Sequence, residues 1–207
     1  MFIFDRPFSH KIMSPRTPQQ LEEIRKDRKQ AIMDVALEEF ASHGYESTSI
    51  SMIAKKTGVS KGLMYNYFKS KEDLLISIIH DQVHLIHDQF DENHDGSISK
   101  AEFLSFIKKS IKIIKDNPDY WKLYTQLAFQ PKVISLITNR FDDIASNYAK
   151  LVYELFEKNN IEDIEGELLL FNAVIKGATL QYLAYPDVYP IDQIENKLLE
   201  IYDKKLK

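Results

Sequence analysis

Apolar positions recur along most of this chain at steps of three and four, with charge filling the intervals. From Thr17 to about His43 the stripe is Ile24, Ile32, Val35, Ala36, Leu37 and Phe40, which predicts a helix. Gly44 sits where a helix C-cap glycine belongs. Thr48 or Ser49 then caps a short second helix that runs to about Thr57, and Gly58 breaks it. Ser60 opens a third, ending near Tyr67. Ser70 opens a fourth, with Asp73 at the capping-box position and a stripe of Leu74, Leu75, Ile78, Ile79, Val83, Ile86 and Phe90. After a polar stretch at 91–99, helical pattern resumes over 100–115, where Asn117-Pro118 stops it. Further helices are predicted at 119–129, 132–159, 163–184 and 191–206. Strict alternation is absent, so the fold class is all-α, with about nine helices.

Composition narrows this little. A 44% hydrophobic fraction in 207 residues supports a real core. With no cysteine there is neither a disulfide framework nor thiolate chemistry, and a cytoplasmic setting fits. No apolar run approaches the ~18 residues of a membrane span, so no membrane partner is expected. The opening MFIFDRPFSHKI is too short in its apolar part for a signal peptide, and Met13 offers an alternative start. Residues 1–16 are therefore expected to be a disordered or extended tail. A boundary falls near Lys71: helices are short and basic before it, longer and aromatic-rich after it. The expected units are 17–71 and 72–207.

Charge changes the picture more. Residues 47–71 carry Lys55, Lys56, Lys61, Lys69 and Lys71 and no acid, although the whole chain is at net −4. A local cationic run in an acidic protein calls for an anionic partner. The two short helices around Gly58 have the form of a helix–turn–helix, whose second helix enters the major groove of DNA. Ile50, Ile53 and Ala54 would form the inner face of the first, with Val59 and Met64 packing beneath the second. Lys61, Gly62, Leu63, Tyr65, Asn66 and Tyr67 would then face outward. Lysine and asparagine hydrogen-bond base edges, and tyrosine reaches phosphate or a thymine methyl. On spacing alone, a solvated basic helix pair is the alternative.

Residues 37–75, LEEFASHGYESTSISMIAKKTGVSKGLMYNYFKSKEDLL, resemble the N-terminal signature of the tetracycline-repressor (TetR) family of bacterial transcription regulators. The matching features are Phe40, Gly44-Tyr45, Thr48-Ser49-Ile50, Ile53-Ala54, Gly58-Val59-Ser60-Lys61-Gly62, Tyr65, Tyr67-Phe68 and Ser70-Lys71-Glu72. Beyond this stretch only length and helical layout are similar. The resemblance implies a three-helix DNA-binding head and a C-terminal ligand domain with a small-molecule pocket. It also implies a homodimer through the last two helices and repression relieved by an effector. By matching position, Thr48, Ser49, Ser51, Lys61, Gly62, Tyr65, Asn66, Tyr67 and Lys71 would line a double-stranded operator. One departure is Leu63, where the family often has a threonine that meets phosphate or base, so operator specificity does not carry over.

Residues 91–102, DENHDGSISKAE, match a calcium-binding EF-hand loop. Asp91, Asn93 and Asp95 occupy positions 1, 3 and 5, and Gly96 the sharp turn at 6. Ser97 would offer its carbonyl, Ser99 would act through water, and Glu102 would close the ring at 12. Ile98 packs at position 8, and Phe90 and Phe103 flank the loop. There is no second copy, and a polar interhelical turn is the alternative. A cation here would set the angle between the fourth and fifth helices. His80, His84 and His87 share a face of the fourth helix, where a solvated flank is favoured over a metal site.

Twelve aromatics lie between Phe103 and Tyr182, most of them core. Candidate effector-lining residues are Phe103, Ile107, Trp121, Tyr124, Leu127 and Phe171. Ala173, Gly177, Ala178 and Ala184 would let a partner helix approach closely, as a dimer requires. No catalytic motif appears, and the carboxylates form no acid/base pair, so no enzyme is expected and no cofactor is required. The alternative function is a calcium-binding helical sensor whose helix–turn–helix is incidental.

Overall fold

A computed structural model describes residues 17–207 apart from 88, 89 and 92, and all side chains within that range except those of 83–87, 139 and 141–145. The expected tail at 1–16 lies outside the described residues. Nine α-helices are described: α1 Pro18–His43, α2 Ile50–Thr57, α3 Lys61–Tyr67, α4 Lys71–His87, α5 Lys100–Asp116, α6 Pro118–Ala128, α7 Pro131–Lys158, α8 Ile164–Ala184 and α9 Ile191–Lys205.

The caps explain the boundaries. Thr17 and Gln20 form a reciprocal capping box at the start of α1. Ser49, not Thr48, caps α2, its hydroxyl accepting from the Met52 N–H at 3.2 Å. Gly58 ends that helix at φ 69°, a left-handed conformation costly for any residue with a Cβ. Ser60 accepts from Leu63 N–H to open α3. Ser70 accepts from Asp73 N–H, while the Asp73 carboxylate reaches back one residue further, to the Lys69 N–H. Asn117 both ends α5 and caps α6, with Pro118 in the first turn, where its missing N–H costs nothing.

Two main cores result. The first joins Ile32, Met33, Ala36, Leu37 and Phe40 of α1 to Ile53 and Ala54 of α2 and Met64 of α3. It continues through Leu74, Leu75, Ile78 and Ile79 of α4 into Leu127 of α6 and Val133 of α7. The head therefore does not close at Lys71. Its apolar interior runs into the C-terminal helices through packed side chains. The second core packs Phe103, Phe156, Phe171 and Tyr202 with centroids 5.1–5.8 Å apart, mostly edge to face. A small third cluster of Ile114, Trp121 and Leu183 lies between α5, α6 and α8.

Candidate nucleic-acid interface

α3 is held over α2 by Met64 and Phe68, both almost fully buried. At that phase Lys61, Gly62, Tyr65 and Asn66 face solvent, as do Ser49, Ser51, Met52 and Lys55 on the neighbouring edge of α2. Seven of these eight are of types able to hydrogen-bond DNA or, in glycine's case, to let a backbone approach it closely. Leu63 and Tyr67 are half-buried, and Tyr67 packs against the head core, so its ring supports the helix while its edge stays accessible.

Two residues assigned to this surface face inward. Thr48 is 1% exposed, and its hydroxyl donates to the Gly44 and Glu39 carbonyls at 2.9 and 3.2 Å. Lys71 turns its ammonium under the α1–α2 turn. It donates to the carbonyls of Tyr45, Glu46 and Thr48 at 2.8, 3.2 and 2.9 Å and lies 4.4 Å from the centre of the Tyr45 ring. Burial lowers its pKa below the ordinary lysine value. Both side chains are thus engaged with the backbone at the α1–α2 turn. For Lys71 the cause is the turn itself, whose Tyr45, Glu46 and Thr48 carbonyls need donors that no helix ladder supplies.

The cationic run is also partly spent. Lys56 bonds Glu39 at 2.9 Å and Glu38 at 3.0 Å, and the Glu39 hydrogen bond, then that of Glu38, raise its pKa. Glu39 is itself buried, so Lys56 neutralises a charge of the head's interior.

The family model for bacterial regulatory proteins of the tetR family matches residues 32–78, from the middle of α1 into α4. This stretch is a TetR-family N-terminal domain. Among similar curated proteins, the fatty acid metabolism regulator of Bacillus subtilis is 28% identical over 122 residues, covering 58% of this chain and 62% of that protein. The Staphylococcus epidermidis negative transcriptional regulator IcaR is 26% identical, covering 69% of this chain and 79% of its own length. Among solved structures, FadR from Bacillus halodurans superposes with a TM-score of 0.65 at 19% identity, over 91% of this chain and 96% of that one. FadR from B. subtilis, solved with stearoyl-CoA, gives a TM-score of 0.65 at 23% identity, over 86% and 99%. The fold is thus shared along nearly the whole length of the chain. These relatives are regulators, not enzymes.

The six residues read as effector-lining are not gathered. Phe103, Ile107 and Phe171 fill the second core, Leu127 belongs to the first, and Trp121 and Tyr124 lie at the third. Rings at helical spacing on α5 and α8 pack on each other before they line a space. Sequence did not single out Gln82 of α4, whose amide donates to the Tyr120 hydroxyl at 2.7 Å. Its carbonyl oxygen is buried and accepts no hydrogen bond from the described residues. Burial raises the Tyr120 hydroxyl pKa well above its ordinary value and pushes that of Tyr124 up to about 12, so both stay neutral donors.

At 91–102 the chain forms the expected interhelical loop. Asp91 accepts from the N–H groups of Asp95 and Gly96 at 3.1 and 2.9 Å, and Asn93 accepts from Asp95 N–H at 2.8 Å. Ser97 donates through its N–H and its hydroxyl to Asp95, which lowers that carboxyl's pKa. Gly96 has φ 77°, and Phe90, Ile98 and Phe103 are buried as the pattern requires. Glu102, by contrast, closes a capping box on Ser99 at the start of α5. No three His, Cys, Asp or Glu side chains among the described residues converge as a metal site. The His84 and His87 side chains lie outside the described ones, and His80 is exposed with its Nδ1 3.9 Å from Asp81.

Along α8, Leu170, Ala173, Gly177, Leu180 and Ala184 are all exposed and follow steps of three and four. Ala178 is buried within the chain. The exposed residues of α9 are polar, among them Lys197, Glu200 and Lys204. No helix among the described residues is long and apolar enough to cross a membrane.

Proposed function

We propose that this chain is a cytoplasmic, homodimeric transcriptional repressor that binds a double-stranded operator and releases it on binding a small-molecule effector. The observation that carries this reading is the outward polar face of α3, with Lys61, Tyr65 and Asn66 presented by a helix pinned through Met64 and Phe68. The exposed seam on α8 supports a two-fold dimer, with α9 at its polar rim, and two half-sites on DNA require such a pair. Duplexes selected from a random pool and tested by mobility shift check the reading. Lys61→Ala and Asn66→Ala should each weaken the selected duplex by about 1–3 kcal/mol. Failure to retain any duplex at low ionic strength overturns it.

For the effector, the region we favour is where Gln82 of α4 bonds Tyr120 of α6, whose ring packs on Trp121 and, through it, beside Tyr124. A buried acceptor and neutral hydroxyls beside aromatic rings suit a long acyl chain with a polar thioester head, the class of the stearoyl-CoA bound by B. subtilis FadR. Stearoyl-CoA should raise the melting temperature of the parent protein and release the duplex. Gln82→Ala should blunt both effects.

A second reading concerns the α4–α5 loop. Its twelve-residue match, the left-handed Gly96 and the buried Ile98 favour Ca2+ binding by Asp91, Asn93, Asp95, Ser97, Ser99 and Glu102. Glu102 would exchange its Ser99 bonds for the cation. Because the loop joins the helix shared with the head to α5, the cation would bias DNA affinity, and DNA would bias cation affinity equally.

A further inference from the structure

Gln130 stands between α6 and α7, at the N-cap position of α7, yet its side chain makes no cap bond to that helix. Its amide reaches the head instead. Nε2 donates to the Phe40 carbonyl at 2.8 Å, and Oε1 accepts from the Tyr45 N–H at 2.7 Å. Both partners flank Gly44, where α1 ends and the chain bends toward α2. On the far side of the same residue, the Tyr45 carbonyl accepts from Lys71 at the start of α4. The backbone of Tyr45 is thus held at its N–H by the α6–α7 corner and at its carbonyl by α4. Leu127 and Val133, three residues to either side of Gln130, are fully buried in the core shared with α1.

We propose that Gln130 is a positioning residue that carries movement of the α6–α7 corner into the DNA-reading head through the α1–α2 turn. This rests on the regulator reading above. A primary amide suits the task because it presents one donor and one acceptor a fixed distance apart, matching the Tyr45 N–H and the second lone pair of the Phe40 carbonyl, which already accepts from the Gly44 N–H at 3.1 Å. Ser49 begins α2 four residues beyond Tyr45, and α2 carries α3 against the duplex. A shift of the corner that breaks both bonds leaves the turn tied to α4 alone, and the head then follows α4 without the second restraint. Packed contacts of this kind switch between discrete arrangements rather than stretching.

Hydrogen exchange on the full chain tests this without an effector, using a duplex selected as above. In the parent protein, duplex binding slows exchange in the head and also across 125–135. In Gln130→Glu, which removes the donor and sets a carboxylate against the Phe40 carbonyl, the head is still protected and 125–135 is not. In free Gln130→Ala, the Tyr45 amide exchanges about fivefold to tenfold faster than in the parent, as loss of one ordinary hydrogen bond requires. Protection of 125–135 persisting in Gln130→Glu, or absent in the parent while its head is protected, overturns the proposal. So does an unchanged Tyr45 rate. No slowing anywhere overturns the DNA reading itself, and this inference with it.

Discussion

Two bends in this chain solve the same problem in opposite ways. The turn at 44–49, between α1 and α2, leaves several carbonyls without a helical partner, and they are satisfied largely from outside. Lys71 brings one ammonium to three of them and Gln130 reaches in from α6–α7 to the Phe40 carbonyl and the Tyr45 N–H, while Thr48 adds two contacts from within the turn. The loop at 91–99, between α4 and α5, is organised from within, by its own Asp91, Asn93 and Asp95 accepting from its own N–H groups. The first bend takes its shape from the rest of the fold and so reports on it. The second collects negative charge against its own amide and hydroxyl donors, the place where we propose that a divalent cation binds.

Removing the outside support should cost most. Lys71→Ala deletes three charge-assisted bonds and should destabilise the protein by about 3 kcal/mol, read from urea unfolding. DNA affinity should fall only as far as the head loses order. A stable Lys71→Ala protein with weakened binding would return Lys71 to the duplex surface and erase the contrast. Calcium addresses the other bend. At a concentration about a hundredfold above the dissociation constant, CaCl2 should stabilise the parent by about 2.7 kcal/mol. Asp91→Ala combined with Glu102→Gln should abolish the calorimetric heat, and a parent protein giving none would leave 91–99 an ordinary turn. Gly96→Ala sharpens the same point. No heavy atom lies within 4 Å of the added Cβ, so only its positive φ opposes the methyl, at about 1 kcal/mol. Acid produces the smallest effect. The folded-state pKa of Asp95 is depressed, so its contribution is present above the ordinary aspartate value of 3.8 and is lost as pH falls through the lower folded value. The Ser97 amide shift, followed by NMR, should titrate below 3.8, and a midpoint at or above that value would show its bonds to be too weak to order the loop.

Helix positions were legible because period and punctuation agree. The Ser49, Ser60 and Ser70 caps and the Gly58 break each lie within a residue of where sequence puts them. The inner face of Ile53, Ala54 and Met64 was equally readable, and fixing it fixes the outer face by elimination. Direction beyond a helix end was not. Thr48 and Lys71 are polar residues beside an exposed basic surface, and only the three-dimensional course of the turn shows that its carbonyls claim them. Gln130 gives no local signal at all, since its partners lie 85 and 90 residues away. The aromatic helices hide which rings touch one another, because every phase of α8 is apolar enough to be core.

Glu38 and Glu39 have one last effect, on counterions. Of the five lysines between 47 and 71, Lys56 is held by those two glutamates and Lys71 by the turn. Lys55, Lys61 and Lys69 remain to displace cations condensed on the duplex. A logarithmic plot of association constant against salt should therefore steepen by roughly 0.9 for each of these three per protomer, not for all five.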